Sequence, residues 1–329
     1  MAAFAPFLRE HGVELEYRPA LTDDEYRVLG SHASAAHKAC VLARGAARAA
    51  GPRPAHDALL VHRLRLLAPL PGIDPPRHLA VYDLDDALFL GSTAVVNRRF
   101  AWAKQEARRC VIALRRARLV IAGNVFLADH ARRYARHVEI VPSCVDPEHQ
   151  PTRTHSDAEV VTIGWIGSSS TSPYLAPVLP VIERLHRRGA PIRLITVGAH
   201  VGMRAPWLQS RHWSLAREAE DLASFDIGIM PLPDSDWARG KCGYKVLQYF
   251  SAGVPAVASP VGVTTELVAE GRGALATSPQ EWEQALSDLV GDVAARRERG
   301  LAGRSFVQAH YSYRRWAPEL AGLLRANTG

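Results

Sequence analysis

The stretch DIGIMPLPDSDWARGKCGYKVLQYFSAGVPAVASPVG, residues 226–262, carries the clearest fold signal in the chain. Its apolar run Ile227–Met230 ends in a proline-rich turn, which predicts a buried strand. Val246 and Phe250 then fall on one side of a predicted helix, because they are separated by one helical turn. A second apolar run, Ala256–Ala258, predicts another strand. A strand, a helix and a further strand in this order are typical of a parallel α/β sheet.

The same alternation continues over nearly the whole chain. Outside residues 226–262, apolar runs predict strands at Val13–Tyr17, Ala58–His62, His78–Tyr82, Leu119–Ala122, Val138–Val141, Val160–Ile166 and Ile192–Val197. Helices are predicted over Arg98–Arg118 and Arg304–Ala326. Residues 147–159 lack apolar periodicity and carry two prolines, so we predict a linker there. The length of 329 residues also favours two domains over one.

Composition narrows the class of protein. Apolar residues make up 47% of the chain and charged residues 22%, which is ordinary for a globular protein. No apolar run reaches the roughly 20 residues that span a bilayer, and the N-terminus does not read as a signal peptide. We therefore expect a cytoplasmic protein. The cysteines lack zinc-ligand or redox spacing and are expected to be reduced thiols: Cys40, Cys110, Cys144 and Cys242.

The positive charge is concentrated in the first half of the chain. The formal net charge is +7, and residues 1–150 hold 21 Lys and Arg against 16 Asp and Glu. The predicted helix Arg98–Arg118 is expected to carry arginines on its polar surface: Arg108, Arg109, Arg115, Arg116 and Arg118. Such a face is either simply solvated or contacts a membrane or an acidic acceptor. The excess is too diffuse to indicate a nucleic-acid partner.

Two of the four lysines, Lys241 and Lys245, fall within five residues of each other at the start of a predicted helix. Gly240 and Gly243 precede that helix and leave its N-terminus open, where backbone amides and the helix dipole favour anions. Lysine at this end is unfavourable for an isolated helix, so we infer a compensating anion. Gln248 follows Lys245 by three residues and is expected on the same face. The alternative is an ordinary surface helix.

A glycine- and serine-rich turn follows another predicted strand. Gly167, Ser168 and Ser169 provide close backbone approach, free amides and hydroxyls, which suit phosphate oxygens. Turns of this composition are also common for purely structural reasons. No Gly-x-Gly-x-x-Gly turn follows an early strand, which argues against a dinucleotide oxidoreductase.

Three carboxylates, Asp83, Asp85 and Asp86, come directly after a predicted strand. The carboxyl edge of a parallel sheet is where open α/β proteins bind ligands. The carboxylates could bind a metal, accept hydrogen bonds from a sugar or cap the next helix. Because no histidines or further acids cluster nearby, we do not expect a metal site.

Together these segments resemble bacterial family-4 retaining glycosyltransferases of the GT-B fold. Residues 226–262 are similar to that family's donor-binding region. Four further blocks occur in the family's order: VYDLDDALF at 81–89, VIAGNVFLADHARRYARHVEIVPSCVD at 120–146, IGWIGSSSTSPYL at 163–175 and YSYRRWAPELAGLL at 311–324. The order and number of these blocks make the resemblance specific.

The resemblance implies an α/β GT-B fold with two Rossmann-like domains facing a cleft. Residues 1–150 would form the acceptor-side domain and 151–303 the nucleotide-sugar-binding domain, with 304–329 as a helix that crosses back. The implied reaction is hexosyltransferase-like transfer from a nucleotide-diphosphate sugar with retention of anomeric configuration, without metal or cofactor. The acceptor is a glycan, a lipid-linked molecule or a natural product. The basic first half adds the expectation of peripheral contact with the inner membrane face.

The resemblance also assigns roles to individual residues. Lys245, with Arg239 or Lys241, would offset charge on the leaving diphosphate. Asp85 and Asp86 would face the acceptor or the transferred sugar. The implied donor-binding residues are Gly167, Ser168, Ser169, Arg239, Gly240, Lys241, Gly243, Tyr244 and Gln248.

The sequence departs from the family at two places. Gly240 and Gln248 stand where many relatives carry glutamates that contact the sugar and the ribose. Gln248 can still hydrogen-bond a ribose hydroxyl. The opening MAAFAPFLREHG resembles the helix that follows the family's first strand, so we expect that strand to be missing. These departures leave open a catalytically inactive binding or partner protein with the same fold.

Overall fold

The computed structural model describes residues 1–30, 33–50, 56–62, 80–90, 106–157 and 160–327. The chain forms two compact units: unit 1 is Met1–Val141 with Ala317–Gly329, and unit 2 is Pro142–Trp316. Parts of three predicted segments lie outside the described residues: positions 78–79 of a strand, 98–105 of a helix and 158–159 of the linker. Described residues 147–157 of the linker contain no helix or strand.

Unit 1 is a parallel α/β layer. Its described strands are β1 (Leu60–His62), β2 (Val81–Leu84), β3 (Leu119–Ala122) and β4 (Val138–Ile140), all parallel in the order β1-β2-β3-β4. Its helices are α1 (Ala5–Arg9), α2 (Asp23–Gly30), α3 (Ala35–Ala50), α4 (Glu106–Arg116) and α5 (Val125–Ala131). Every side chain of β2 and β3 is buried, so these two strands form the centre of the unit.

Two sequence predictions in unit 1 are wrong. Val13–Tyr17 alternates apolar and acidic residues but forms no strand, because no described strand pairs with it and Tyr17 is 62% exposed. Arg109 was expected on the polar surface of α4, yet it is only 4% exposed. It precedes the buried Cys110 and therefore lies at the edge of the apolar side of the helix, while Arg108 and Arg115 are exposed.

Unit 2 contains a six-stranded parallel sheet in the order β10-β9-β8-β5-β6-β7. The strands are β5 (Val161–Ile166), β6 (Ile192–Val197), β7 (Leu208–Arg211), β8 (Ile227–Met230), β9 (Ala256–Ala258) and β10 (Gly273–Leu275). The helices are α6 (Leu179–Arg187), α7 (Leu215–Ala223), α8 (Asp236–Arg239), α9 (Tyr244–Ser251), α10 (Thr264–Val268), α11 (Pro279–Gly291), α12 (Val293–His310) and α13 (Tyr313–Ala326), the last of which continues into unit 1. This is the doubly wound Rossmann order, and it reverses between β5 and β8.

The C-terminal segment is two helices where the sequence predicted one. The break between α12 and α13 falls at Tyr311, whose carbonyl accepts a 2.9 Å hydrogen bond from Val145 N–H. The Val145 carbonyl in turn accepts from Tyr313 N–H at 3.1 Å. The backbone at this point therefore pairs with a distant segment instead of continuing the helix.

Paired glycines let bulky rings pack against the point where the strand order reverses. Gly164 on β5 lies opposite Gly228 on β8. A Cβ on Gly164 would overlap the Phe225 ring, and one on Gly228 would overlap the Tyr249 ring. Glycine at both positions therefore lets helix α9, which carries Tyr249, lie directly on the sheet.

The hydroxyl of Tyr249 joins the two diverging strands. β5 and β8 pair only at Ile163–Gly164 with Ile227–Gly228. Beyond that pairing, Tyr249 Oη accepts from Ile166 N–H at 3.2 Å and donates to the Ile229 carbonyl at 3.1 Å. Burial raises the pKa of Tyr249 well above its ordinary value, so the hydroxyl keeps its proton and can donate. The bridge fixes α9 at the switch point of the sheet.

A buried carboxylate joins the same two strands at their other end. Asp226 accepts from Thr162 N–H at 2.9 Å and forms an ion pair with Arg153 at 2.8 Å. His155 Nδ1 lies 3.6 Å from the Asp226 carboxylate. Burial alone would raise the pKa of Asp226, but His155, the Thr162 N–H and Arg153 together lower it below the usual range. The carboxylate also anchors the linker residues 153 and 155 to unit 2.

Tyr249→Phe should destabilise unit 2, because it leaves the buried Ile166 N–H and Ile229 carbonyl without their bridge. The expected loss is about 2 kcal/mol in the free energy of unfolding, measured with urea. Tyr17→Phe, at a tyrosine that is 62% exposed, serves as the control and should change stability little. Equal stability of Tyr249→Phe and the wild type would refute the bridging role.

Asp226→Asn should cost about 3 kcal/mol, since it leaves Arg153 without its buried partner. The lowered pKa means that the carboxylate stabilises the fold above the ordinary carboxyl pKa of about 3.9, and that this contribution is lost as pH falls through the folded-state value. Urea unfolding from pH 7 to pH 3 should therefore show a shallower pH dependence in the variant. The exposed Asp288→Asn is the control, and parallel pH curves for Asp226→Asn and wild type would contradict this assignment.

Candidate functional site

The candidate site lies in unit 2, at the carboxyl ends of β5 and β8. The strand order reverses between these two strands, so the loops that follow them diverge and leave a crevice. The loop after β5 begins at Gly167, and the loop after β8 leads through α8 to the N-terminus of α9. The glycine- and serine-rich turn at Gly167 and the lysine-containing segment at the start of α9 therefore lie at the same edge of the sheet.

The Gly167 turn presents backbone N–H groups to solvent. Gly167 N–H donates to the Val197 carbonyl at 2.9 Å, which ties the turn to β6. Ser168, Ser169 and Ser170 are exposed, and within the described chain no backbone carbonyl accepts a hydrogen bond from their N–H groups. The Ser168 and Ser170 hydroxyls lie 2.8 Å apart. These amides and hydroxyls can bind phosphate oxygens.

Lys245 crosses directly over this turn. A Cβ on Gly167 would lie 2.9 Å from Lys245 Cε and 2.6 Å from the Trp165 ring, so only glycine leaves room for the lysine stem. Lys245 Nζ lies 5.6 Å from the centre of the buried Trp165 ring, within cation–π range. Trp165, which the sequence motifs did not single out, thus supports the ammonium group from below.

Gly243 opens helix α9 toward the crevice. It is the N-cap residue and adopts a left-handed conformation with φ 68°. A Cβ there would overlap Leu267, so both backbone conformation and space require glycine. The first N–H groups of α9 have no partner within the helix, and their dipole adds positive potential beside Lys245.

The other two predicted cations have local partners. Arg239 forms ion pairs with Asp234 at 2.8 Å and with Asp236 at 3.2 Å. Lys241 Nζ lies 5.5 Å from the centre of the Trp237 ring. Gly240, the C-cap residue of α8, is buried. Of the three candidate cations, Lys245 is therefore the one whose stem lies against the Gly167 turn.

A hydrogen-bonded cluster adjoins the turn on its other side. A Cβ on Gly198, which has φ 90°, would lie 2.5 Å from the Gly167 carbonyl and 3.3 Å from Trp213 Cβ. Trp213 Nε1 donates to Glu218 Oε2 at 2.6 Å, and Gln248 Nε2 donates to Glu218 Oε1 at 3.0 Å. Gln248 lies three residues beyond Lys245 on α9.

Trp213 and Glu218 were missed at the sequence level. They follow strand β7 (Leu208–Arg211), which was not predicted because its residues are partly polar and do not form an apolar run. Recognising it would have placed the following residues at the carboxyl edge of the sheet. Tyr244 belongs to the same surroundings: partial desolvation and the Glu218 carboxylate raise the pKa of Tyr244 to about 12.

The predicted carboxylates Asp85 and Asp86 belong to unit 1. His62, at the end of β1, pairs in register with Asp83 on β2, and its Nδ1 lies 2.6 Å from the Asp83 carboxylate. His62 Nε2 lies 3.8 Å from Asp85. Asp86, the next residue in the chain after Asp85, is also buried. The sequence analysis did not assign His62 to this group. It could have done so, because a polar residue at the end of a strand next to β2 is expected near the residues that end β2. Among the described residues, no group of three or more His, Cys, Asp or Glu is arranged to hold a metal ion.

Part of unit 2 is similar to a known protein family. Residues 160–292 match the family model described as "Glycosyl transferases group 1". The matched part of unit 2 includes the Gly167 turn, Trp213, Glu218 and α9. A search of curated protein sequences finds no match to the chain.

Several solved structures superpose on this chain. WaaG, a glycosyltransferase involved in lipopolysaccharide biosynthesis, superposes with a TM-score of 0.61 and 12% identity, over 100% of this chain and 95% of its own. Sucrose-phosphate synthase from Thermosynechococcus elongatus superposes with a TM-score of 0.57 and 15% sequence identity, over 75% of this chain and 67% of its own. A mutant of S. aureus TarM in complex with UDP superposes with a TM-score of 0.59 and 10% sequence identity, over 75% of this chain and 51% of its own. This chain therefore spans about half the length of TarM. The fold of the chain is GT-B.

The described residues include no helix that is both long and apolar enough to cross a membrane. Exposed arginines on α4 include Arg108 and Arg115.

Gly167→Ala should weaken binding of a diphosphate, because the new Cβ displaces the Lys245 stem from the turn. We expect about a tenfold loss of affinity for inorganic pyrophosphate, measured by calorimetry. Gly291→Ala is the control, since a Cβ there meets nothing within 4 Å. Unchanged pyrophosphate affinity in Gly167→Ala would contradict the placement of the phosphate site.

Proposed function

We propose that this protein is a glycosyltransferase that moves a sugar from a nucleotide-diphosphate donor to an acceptor hydroxyl, with the donor held by unit 2. The observation that carries the proposal is the position of Lys245 across the Gly167 turn. It places a cation, exposed backbone N–H groups and a helix N-terminus around one crevice of a group 1 glycosyltransferase domain. Those groups suit a diphosphate.

The proposed chemistry uses this positive surface on the leaving group. As the bond between the sugar's anomeric carbon and the diphosphate oxygen breaks, negative charge accumulates on the departing nucleoside diphosphate. Lys245 and the α9 dipole stabilise that charge without reorganising, because both are already held in place. Arg239 and Lys241, which have carboxylate and aromatic partners, are proposed to assist at the rim.

We further propose that the sugar is transferred with retention and that the diphosphate charge is offset by these protein groups without a metal ion. Asp85 and Asp86 are proposed to contact the acceptor or the transferred sugar. The acceptor class remains a glycan, a lipid-linked molecule or a natural product. Cytoplasmic location and peripheral membrane contact remain predictions from the sequence. TarM in complex with UDP supports a nucleotide donor of this kind.

The first test is calorimetric binding of UDP, GDP, ADP, CDP and dTDP, each with EDTA and with Mg²⁺. We expect one of them to bind equally well in both. The preferred nucleotide then selects the sugar donors for a transfer assay, in which NMR of the anomeric proton reports retention or inversion. Absence of binding to folded protein would overturn the proposal. Binding without transfer to any acceptor tested would favour the inactive partner protein, for which the glycine at position 240 is the sequence argument.

Lys245→Met should lower the turnover of sugar transfer about 100-fold, as expected when a group that stabilises transition-state charge is removed. Nucleoside diphosphate affinity should also fall, because the same ammonium group contacts the phosphates. Lys38→Met, a charge-matched change on α3 of unit 1, should leave both quantities unchanged. Full activity in Lys245→Met would show that another group stabilises the leaving diphosphate.

A further inference from the structure

The carboxylate of Glu218 is held in a defined orientation beside the proposed diphosphate site. Its two oxygens each accept one hydrogen bond: Oε2 from the Trp213 indole N–H at 2.6 Å, and Oε1 from the Gln248 amide at 3.0 Å. Gln248 is only 7% exposed, so one of these donors is itself fixed by packing. A carboxylate has about four acceptor positions, so each oxygen keeps capacity for one more hydrogen bond.

Glu218 is connected to the proposed phosphate site through helix α9. Gln248 lies three residues after Lys245 on the same face of α9, and such pairs are about 5–6 Å apart. Glu218 therefore lies about one helical turn beyond the lysine proposed to bind phosphate. Trp213, 42% exposed, packs over Gly198 next to the Gly167 turn and closes the arrangement on the β6 side.

We propose that Glu218 binds the two ribose hydroxyls of the donor and makes the protein selective for ribonucleotides over 2′-deoxyribonucleotides. Two free acceptor positions on one fixed carboxylate match two neighbouring O–H donors, and acidic side chains recognise ribose in this way in other nucleotide-binding α/β proteins. Gln248, whose amide N–H is committed to Glu218, acts as a positioning residue together with Trp213. The inference rests on the proposed function, because it concerns the nucleoside of the same donor.

The inference changes the role that the sequence predicted for position 248. A direct hydrogen bond from Gln248 to ribose was expected there, but its side chain is turned to a residue 30 positions away in the chain. The ribose contact is thereby moved from α9 to α7. A glutamine suits this position because it can donate to a carboxylate, which a glutamate cannot do when ionised.

The test compares Glu218→Gln with wild type by calorimetry. The probes are UDP, GDP, ADP and CDP, each with its 2′-deoxy counterpart, together with dTDP and inorganic pyrophosphate. Glutamine keeps the size of the side chain, but its NH₂ group faces one of the two existing donors, and the negative charge is lost. Glu220→Gln is the matched control, since Glu220 is an exposed glutamate on the same helix.

Wild type should prefer the ribonucleotide over its deoxy form about tenfold. Glu218→Gln should bind the ribonucleotide about tenfold more weakly, bind the deoxy form almost as before, and keep its pyrophosphate affinity. Glu220→Gln should behave as wild type.

Three results would overturn the inference while leaving the proposed function intact. The first is a preference of wild type for deoxynucleotides or dTDP, and the second is an undiminished ribose preference in Glu218→Gln. The third is a loss of pyrophosphate binding in Glu218→Gln as large as its loss of ribonucleotide binding. The last would mean that Glu218 maintains the crevice as a whole. If no nucleoside diphosphate binds to folded wild type, the proposed function fails together with the inference.

Discussion

Unit 2 depends on one buried hydroxyl at the place where its sheet reverses order. Tyr249 bridges the backbones of β5 and β8 after their direct pairing ends, and the glycines at positions 164 and 228 leave the space that the packing requires. Asp226 joins the same strands at their other end. A switch point without such contacts would leave unpaired backbone groups in an apolar core, which is costly. Tyr249, which supplies the missing hydrogen bonds between the two strands, also holds helix α9 against the sheet.

That helix carries Lys245 and also holds the Glu218 carboxylate of α7 through Gln248. Its N-terminus and Lys245 face the Gly167 turn, while Gln248, almost one turn later, donates to Glu218. A diphosphate and the neutral hydroxyls of a ribose require opposite partners, a positive surface and a hydrogen-bond acceptor. Lys245 lies on α9, and Glu218 on α7 is hydrogen-bonded by Gln248 of α9, so the packing of Tyr249 against the sheet helps to set the spacing of the two partners.

Much of the sheet could be predicted because its central strands are apolar on both faces. Ile227–Met230 and Ala256–Ala258 were predicted with their observed bounds, since strands covered on both sides read as continuous apolar runs. Leu208–Arg211 lies at the edge of the sheet and carries polar residues, so its sequence gave no such run. Val13–Tyr17 shows the converse: the pattern of a strand is present, but strand formation needs a neighbour that local sequence does not supply.

The sequence by itself determined the chemistry available at the crevice: a glycine turn after one strand, and a glycine-opened helix with lysines after another. These are local features, and the period of apolar residues is enough to place them at the ends of strands. Tertiary structure decided which cation meets the turn, because Arg239 and Lys241 found partners near them while Lys245 crosses Gly167. It also decided that Gln248 binds Glu218. Contacts between elements 30 or more residues apart depend on how the helices pack on the sheet, and no local pattern encodes them.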